Sequence, residues 1–193
     1  TYLDVMVPQP RYYVILENNS QDNTLNVIKD WIKQHPNTIF LHYWFVPDAV
    51  KILGNPYSTI GMVRQLLLQK ARSLNVDYAI FIDDDVYVGA IDFIDRITKW
   101  GMDLVGGAYL RMYPQGVFLA SKWWNTIPAS MKEFPYTLKK QCLRLERVAM
   151  TSGGCMCISK KLMNDKRINF YPILDPLQWG DTSEDYGYCM RAI

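Results

Sequence analysis

Tyr78-Ala79-Ile80-Phe81-Ile82-Asp83-Asp84-Asp85-Val86 is the stretch on which the fold turns: five mostly apolar residues run directly into three carboxylates. The apolar part has the length and composition of a strand in a sheet core. Its ending needs a separate explanation, because a carboxylate leaving water without a positive partner is strongly disfavoured. A hard divalent cation answers that need, since Mg²⁺ and Mn²⁺ take oxygen ligands and leave positions open for phosphate. Read as a continuing extended chain, alternation places Asp83 and Asp85 on one face and Asp84 on the other. The competing reading is an acidic, solvated turn after a core strand.

On either side of this stretch, strand and helix patterns alternate. Tyr12 to Leu16 reads as a strand that ends in the polar turn Glu17-Asn18-Asn19-Ser20. Leu25, Ile28 and Ile32 then mark one face of a helix over residues 24–34, and Ile39 to Phe45 reads as a second strand. Ser58 is placed to cap a long helix whose apolar stripe includes Met62, Val63, Leu66, Leu67, Lys70 and Ala71. After the acidic run, Ile91, Ile94 and Ile97 indicate a short helix, Leu104 to Tyr109 a strand, and Val148 to Ser159 strand on either side of Gly153-Gly154. A last helix starts near Ser183. Tyr2 to Val7 also looks like a strand, but only Pro8-Gln9-Pro10-Arg11 separates it from the next, too few residues for a parallel crossover. Either the two strands are antiparallel or not adjacent, or a segment is missing from the sequence, and the missing segment is the favoured reading.

This alternation predicts an α/β fold with parallel neighbours and a site at the carboxyl ends of the strands. Two such ends, Glu17-Asn18-Asn19-Ser20 and Asp83-Asp84-Asp85, would open onto one edge. The 193 residues, 49% hydrophobic and 21% charged, suit one soluble globular domain. A net charge of +2 argues against a nucleic-acid binder that works mainly by basic charge. No apolar run approaches the ~20 residues of a membrane-spanning helix. With no targeting signal at its start the chain is expected to be cytoplasmic, and without an initiator Met it is expected to be part of a longer protein. Cys142, Cys155, Cys157 and Cys189 lack zinc-site spacing, and Cys155 and Cys157 on one strand would point the same way. They read as buried structural thiols in a reducing compartment.

Four segments, in order, resemble the nucleotide-sugar glycosyltransferases of the GT-A fold, especially the family-2-like group. They are Ile15 to Thr24 with its Glu17-Asn18 pair, Arg64 with Asp77 to Asp85, Thr151 to Ser159, and Ser183-Glu184-Asp185-Tyr186-Gly187 to Ala192. The resemblance implies one catalytic domain over residues 1–193, with a nucleotide-binding half over about 1–100 and an acceptor-binding half over 101–193. Its fold would be Rossmann-like, a mostly parallel twisted sheet flanked by helices. Two features depart from the family pattern: the first strand–helix unit is short, and the late His that often completes the metal site is missing.

On this resemblance Asp85 ligates Mn²⁺ or Mg²⁺, and Asp83 contacts the donor ribose or supports the metal. Asp84 belongs to the donor site without an assigned role. Glu17 or Asn18 would read the base of a nucleoside-diphosphate sugar, with a UDP-sugar as the expected donor, and Arg64 would approach phosphate. Asp185, with Glu184 next, would act as general base toward a carbohydrate or glycoprotein acceptor. Each residue also has a structural reading: turn chemistry for Glu17 and Asn18, a helix-surface charge for Arg64, and a capping box for Thr182 and Asp185. Gly106-Gly107 and Gly153-Gly154 would let a sugar approach or simply make turns, and Trp123-Trp124 and Trp179 would stack on sugars or fill core. Rival classes are a nucleotidyltransferase or polymerase palm and a sugar-binding module that has lost activity.

Overall fold

The computed structural model describes residues 2–43, 57–107, 110–111, 117–118, 120–121, 150–151, 153–171, 188–189 and 191–192. Within them the chain is mixed α/β. Strand β1 (Tyr13–Asn18) pairs in parallel with β2 (Thr38–Tyr43) across helix α1 (Thr24–Gln34), in a register that sets Glu17 beside His42. Leu25, Ile28 and Ile32 are half-buried on α1, while Asn26, Lys29, Asp30 and Lys33 face solvent, as the periodicity requires.

The second sheet is built from β3 (Tyr78–Ile82), β4 (Leu104–Gly106) and β9 (Cys155–Ser159), in the order β3-β9-β4, with β9 antiparallel to both neighbours. Shorter antiparallel pairs join β5 (Leu110–Arg111) to β6 (Val117–Phe118), and β7 (Ala120–Ser121) to β8 (Met150–Thr151). The expected mostly parallel sheet is therefore corrected among the described residues. Only β1–β2 is parallel, because the buried run Cys155-Met156-Cys157-Ile158-Ser159 enters between β3 and β4 from the opposite end.

Both faces of this sheet are covered. On one side, Phe81, Met156 and Ile158 meet Leu68 and Ala71 of α2 (Tyr57–Ser73), Leu162 and Met163 of α4 (Lys160–Asn164), and Phe170 and Tyr188. Phe170 stacks on Tyr188 with ring centroids 4.3 Å apart and lies tilted against Phe81 at 5.2 Å. On the other side, Cys155, Cys157 and Ile80 meet Ile97 and Phe93 of α3 (Phe93–Thr98). Cys155 and Cys157 do point the same way. Burial pushes their thiols up to about 11 and about 12, so both are inert at neutral pH.

The buried face of α2 is rotated from the predicted stripe. It runs Gly61, Arg64, Gln65, Leu68 and Ala71, while Met62, Val63, Leu66, Leu67 and Lys70 are half-buried at its flanks. The helix starts at Tyr57, one residue before the predicted cap, and ends with Asn75 at a left-handed φ of 50°, a conformation that Asn tolerates at a helix C-terminus. The N-terminal segment is also corrected. Tyr2–Val5 is a 3₁₀ helix, not a strand, so the short link to β1 needs no crossover and no missing segment. Side chains hold it there: Gln9 Nε2 donates to the carbonyls of Asp4 and Met6 at 3.1 and 2.9 Å. His35, stacked on Trp31, lies 2.7 Å from Asp4 Oδ1.

Leu68 is fully buried between the helix and β9. We expect Leu68→Ala to lower unfolding free energy by about 2–5 kcal/mol in urea titrations, the range for a large buried aliphatic truncated to Ala.

Candidate functional site

The strand β3 ends at Ile82, and the acidic run that follows is a turn, closed by Val86 N–H donating to the Asp83 carbonyl at 3.1 Å. Strand alternation therefore stops before it reaches the carboxylates. Asp84 and Asp85 occupy the two central positions of the turn and are exposed, while Asp83 is half-buried. Solvation at the turn lets three like charges coexist without burial.

Asp83 has a built-in counterion. Arg64 Nη2 donates to both of its carboxylate oxygens at 2.8 Å, reaching across from the buried face of α2. The Arg64 side chain is only 8% exposed and that of Asp83 41%, so the pair has a covered cation and a carboxylate at the surface. The reading of Arg64 as a helix-surface charge is corrected, since its side chain is buried and paired with Asp83. The backbone of Asp83 is also held, its N–H donating to the Gly154 carbonyl at 3.0 Å.

The glycines of this region make close approach to protein atoms. A Cβ at 153 would fall on the Arg64 guanidinium, 2.7 Å from Nη2 and nearer still to Cζ and Nη1. A Cβ at 106 would overlap the Thr151 side chain, and one at 107 would lie 3.0 Å from Cys155 Cβ and closer to its Sγ. Gln65, beside Arg64 on the buried face, accepts a hydrogen bond from Phe170 N–H at 3.0 Å. Sequence reasoning passed over Gln65, although a polar pair interrupting an apolar helix face was a signal for it.

At the end of β1, Glu17 is buried and both of its oxygens are engaged. Oε1 accepts from Ser20 N–H at 2.6 Å, and Oε2 lies 2.7 Å from His42 Nδ1. The Ser20 hydrogen bond holds the Glu17 carboxyl below its ordinary range and outweighs the opposing effect of burial. Asn18 follows on the opposite face, and Asn19 takes a left-handed φ of 54° to start the turn.

Among the described residues no group of three or more His, Cys, Asp or Glu is placed to hold a metal. Mg²⁺-type sites, however, commonly use one or two carboxylates and complete their shell with substrate phosphate and water. The exposed turn bearing Asp84 and Asp85, beside a carboxylate already oriented by Arg64, fits that donor set. Glu184, Asp185, Trp123, Trp124, Trp179 and Cys142 lie outside the described residues. Of the final helix, Tyr188 and Cys189 are buried against the core. A groove of about 410 Å³ near Asp103, Lys161 and Arg191 lies at the opposite end of the sheet, where Lys161 Nζ pairs with Asp103 at 2.7 Å.

No protein-family model matches this chain. No curated protein matches it either. A solved structure titled "Crystal Structure of A197 from STIV" is similar over 93% of this chain and 76% of its own, at 16% identity and a TM-score of 0.49. No helix among the described residues is long and apolar enough to cross a membrane.

Because the folded Glu17 carboxyl is held low, its contribution to stability is complete above the ordinary glutamate range and disappears as pH falls through the lowered value. We expect Glu17→Gln to destabilise the protein at pH 7 and to flatten its acid limb. Urea midpoints measured from pH 7 down to pH 3 would show a smaller acid-induced drop than in the wild type.

Proposed function

We propose that this chain is a metal-dependent glycosyltransferase of the GT-A type, moving a sugar from a nucleoside-diphosphate donor, a UDP-sugar by expectation, to a hydroxyl of a carbohydrate or glycoprotein. The observation that carries the reading is the end of β3. There a carboxylate is oriented by a buried guanidinium, and two further carboxylates are presented to solvent on the next two residues. The order of the four motifs supplies the rest of the support.

In this reading Asp85 and Asp83 border the diphosphate, with Asp85 as the metal ligand. Asp83, with its charge already balanced by Arg64, accepts hydrogen bonds from neutral hydroxyls such as those of ribose. A bound Mn²⁺ or Mg²⁺ would neutralise charge on the leaving diphosphate as a Lewis acid. Asn18 takes the base-reading role, because Glu17 is buried and engaged with Ser20 and His42. Asp185 accepts the proton of the acceptor hydroxyl as its oxygen bonds to the anomeric carbon. The bond from that carbon to phosphate breaks, and the nucleoside diphosphate leaves with the electron pair. Glu184 stands beside Asp185 as the alternative base.

Thermal melts with UDP, GDP and nucleoside triphosphates, each with and without MnCl₂, test the assignment. We expect UDP with Mn²⁺ to raise the midpoint and Asp85→Asn to remove the Mn²⁺-dependent part of the rise. Asp185→Asn should keep UDP–Mn²⁺ binding while transfer falls by roughly 10²–10⁴-fold. A preference for triphosphates would favour a nucleotidyltransferase instead, and unchanged turnover in Asp185→Asn would remove the base assignment. A donor screen for nucleotide-sugar hydrolysis would then name the sugar.

A further inference from the structure

We propose that Arg64 and Gly153 act together as positioning residues, a latch that sets the Asp83 carboxylate and joins α2, the end of β3 and the turn leading into β9. The inference rests on the reading of the β3 end as a donor site, and it adds a structural coupling between that site and the 153–154 turn. Three features define the latch. Arg64 Nη2 reaches both Asp83 oxygens at 2.8 Å, Asp83 N–H donates to the Gly154 carbonyl at 3.0 Å, and the Arg64 guanidinium occupies the space that a Cβ at position 153 would take.

Glycine is required at 153 for space. A Cβ there would collide with the guanidinium carbon and both terminal nitrogens. The obstacle is also hard to move. Arg64 is buried, and a planar guanidinium aligned on a carboxylate loses that alignment when displaced sideways. A Cβ at 153 therefore acts on Asp83 through Arg64, without touching the carboxylate. Conversely, any movement of the 153–154 turn shifts Asp83 through two connections, one to its backbone and one to its side chain. Lysine at position 64 would keep the charge but present no flat face, and so would tolerate the added methyl.

Four proteins test this: wild type, G153A, R64K and the double variant, compared by UDP binding in MnCl₂ and by urea midpoint. We expect G153A to weaken UDP–Mn²⁺ binding roughly tenfold when Arg64 is present and less than about twofold in the R64K background. Equal effects in both backgrounds, or none with Arg64 present, would overturn the latch while leaving the donor-site reading intact. If G153A does not fold, R64M and D83N carry the test. The latch is supported when the pair together weakens binding no more than one alone, and overturned when their effects add. A wild-type protein that binds no UDP–Mn²⁺ counts against the donor-site reading instead. The latch is then judged on whether the urea midpoints of the same four proteins show coupling or simple additivity.

Discussion

A guanidinium buried on the face of a helix must find an anion, and in this chain that need organises the site. Arg64 occupies a position on α2 that helical periodicity would give to an apolar residue, between Gly61 and Leu68. Its charge is met by Asp83 at the exact place where β3 leaves the core. An ion pair of this kind, covered on one side and open on the other, adds little net stability, since desolvation of the cation offsets much of the attraction. Its consequence is geometric. It fixes one carboxylate, it excludes a side chain at position 153, and it ties the strand end to a turn some seventy residues further along the chain, on the order of half a small domain.

The core makes that arrangement possible. The buried strand β9 carries Met156 and Ile158 toward α2, α4 and Phe170, and Cys155 and Cys157 toward α3. Because β9 lies between β3 and β4, its incoming turn necessarily arrives beside the end of β3. Glycines at 106 and 107 let the end of β4 close on Thr151 and Cys155 from the other side. The same packing that leaves the thiols inert thus brings Gly153 and Gly154 up to Asp83.

Much of this was legible in the residues. Helix α1, the parallel strands β1 and β2, the strand at Tyr78–Ile82 and the break at Gly153-Gly154 all follow from periodicity and turn chemistry, which are local properties. The strand reading of Tyr2–Val7 failed because apolar content alone does not distinguish an extended segment from a 3₁₀ turn whose carbonyls are satisfied by the Gln9 side chain. The roles of Glu17 and Arg64 were obscured for a related reason. A carboxylate or guanidinium has the same sequence signature whether it faces a ligand or a neighbouring residue, and only its surroundings separate the two.

The sequence by itself determined the alternation of strands and helices and the acidic end of β3, because both arise from residues adjacent along the chain. Only the tertiary structure decided that β9 runs antiparallel between β3 and β4, that Glu17 closes a turn with Ser20 beside His42, and that Arg64 points inward to Asp83. Those outcomes depend on contacts between residues far apart in sequence. They are set by which charges can be satisfied once the core has closed, and no local pattern carries that information.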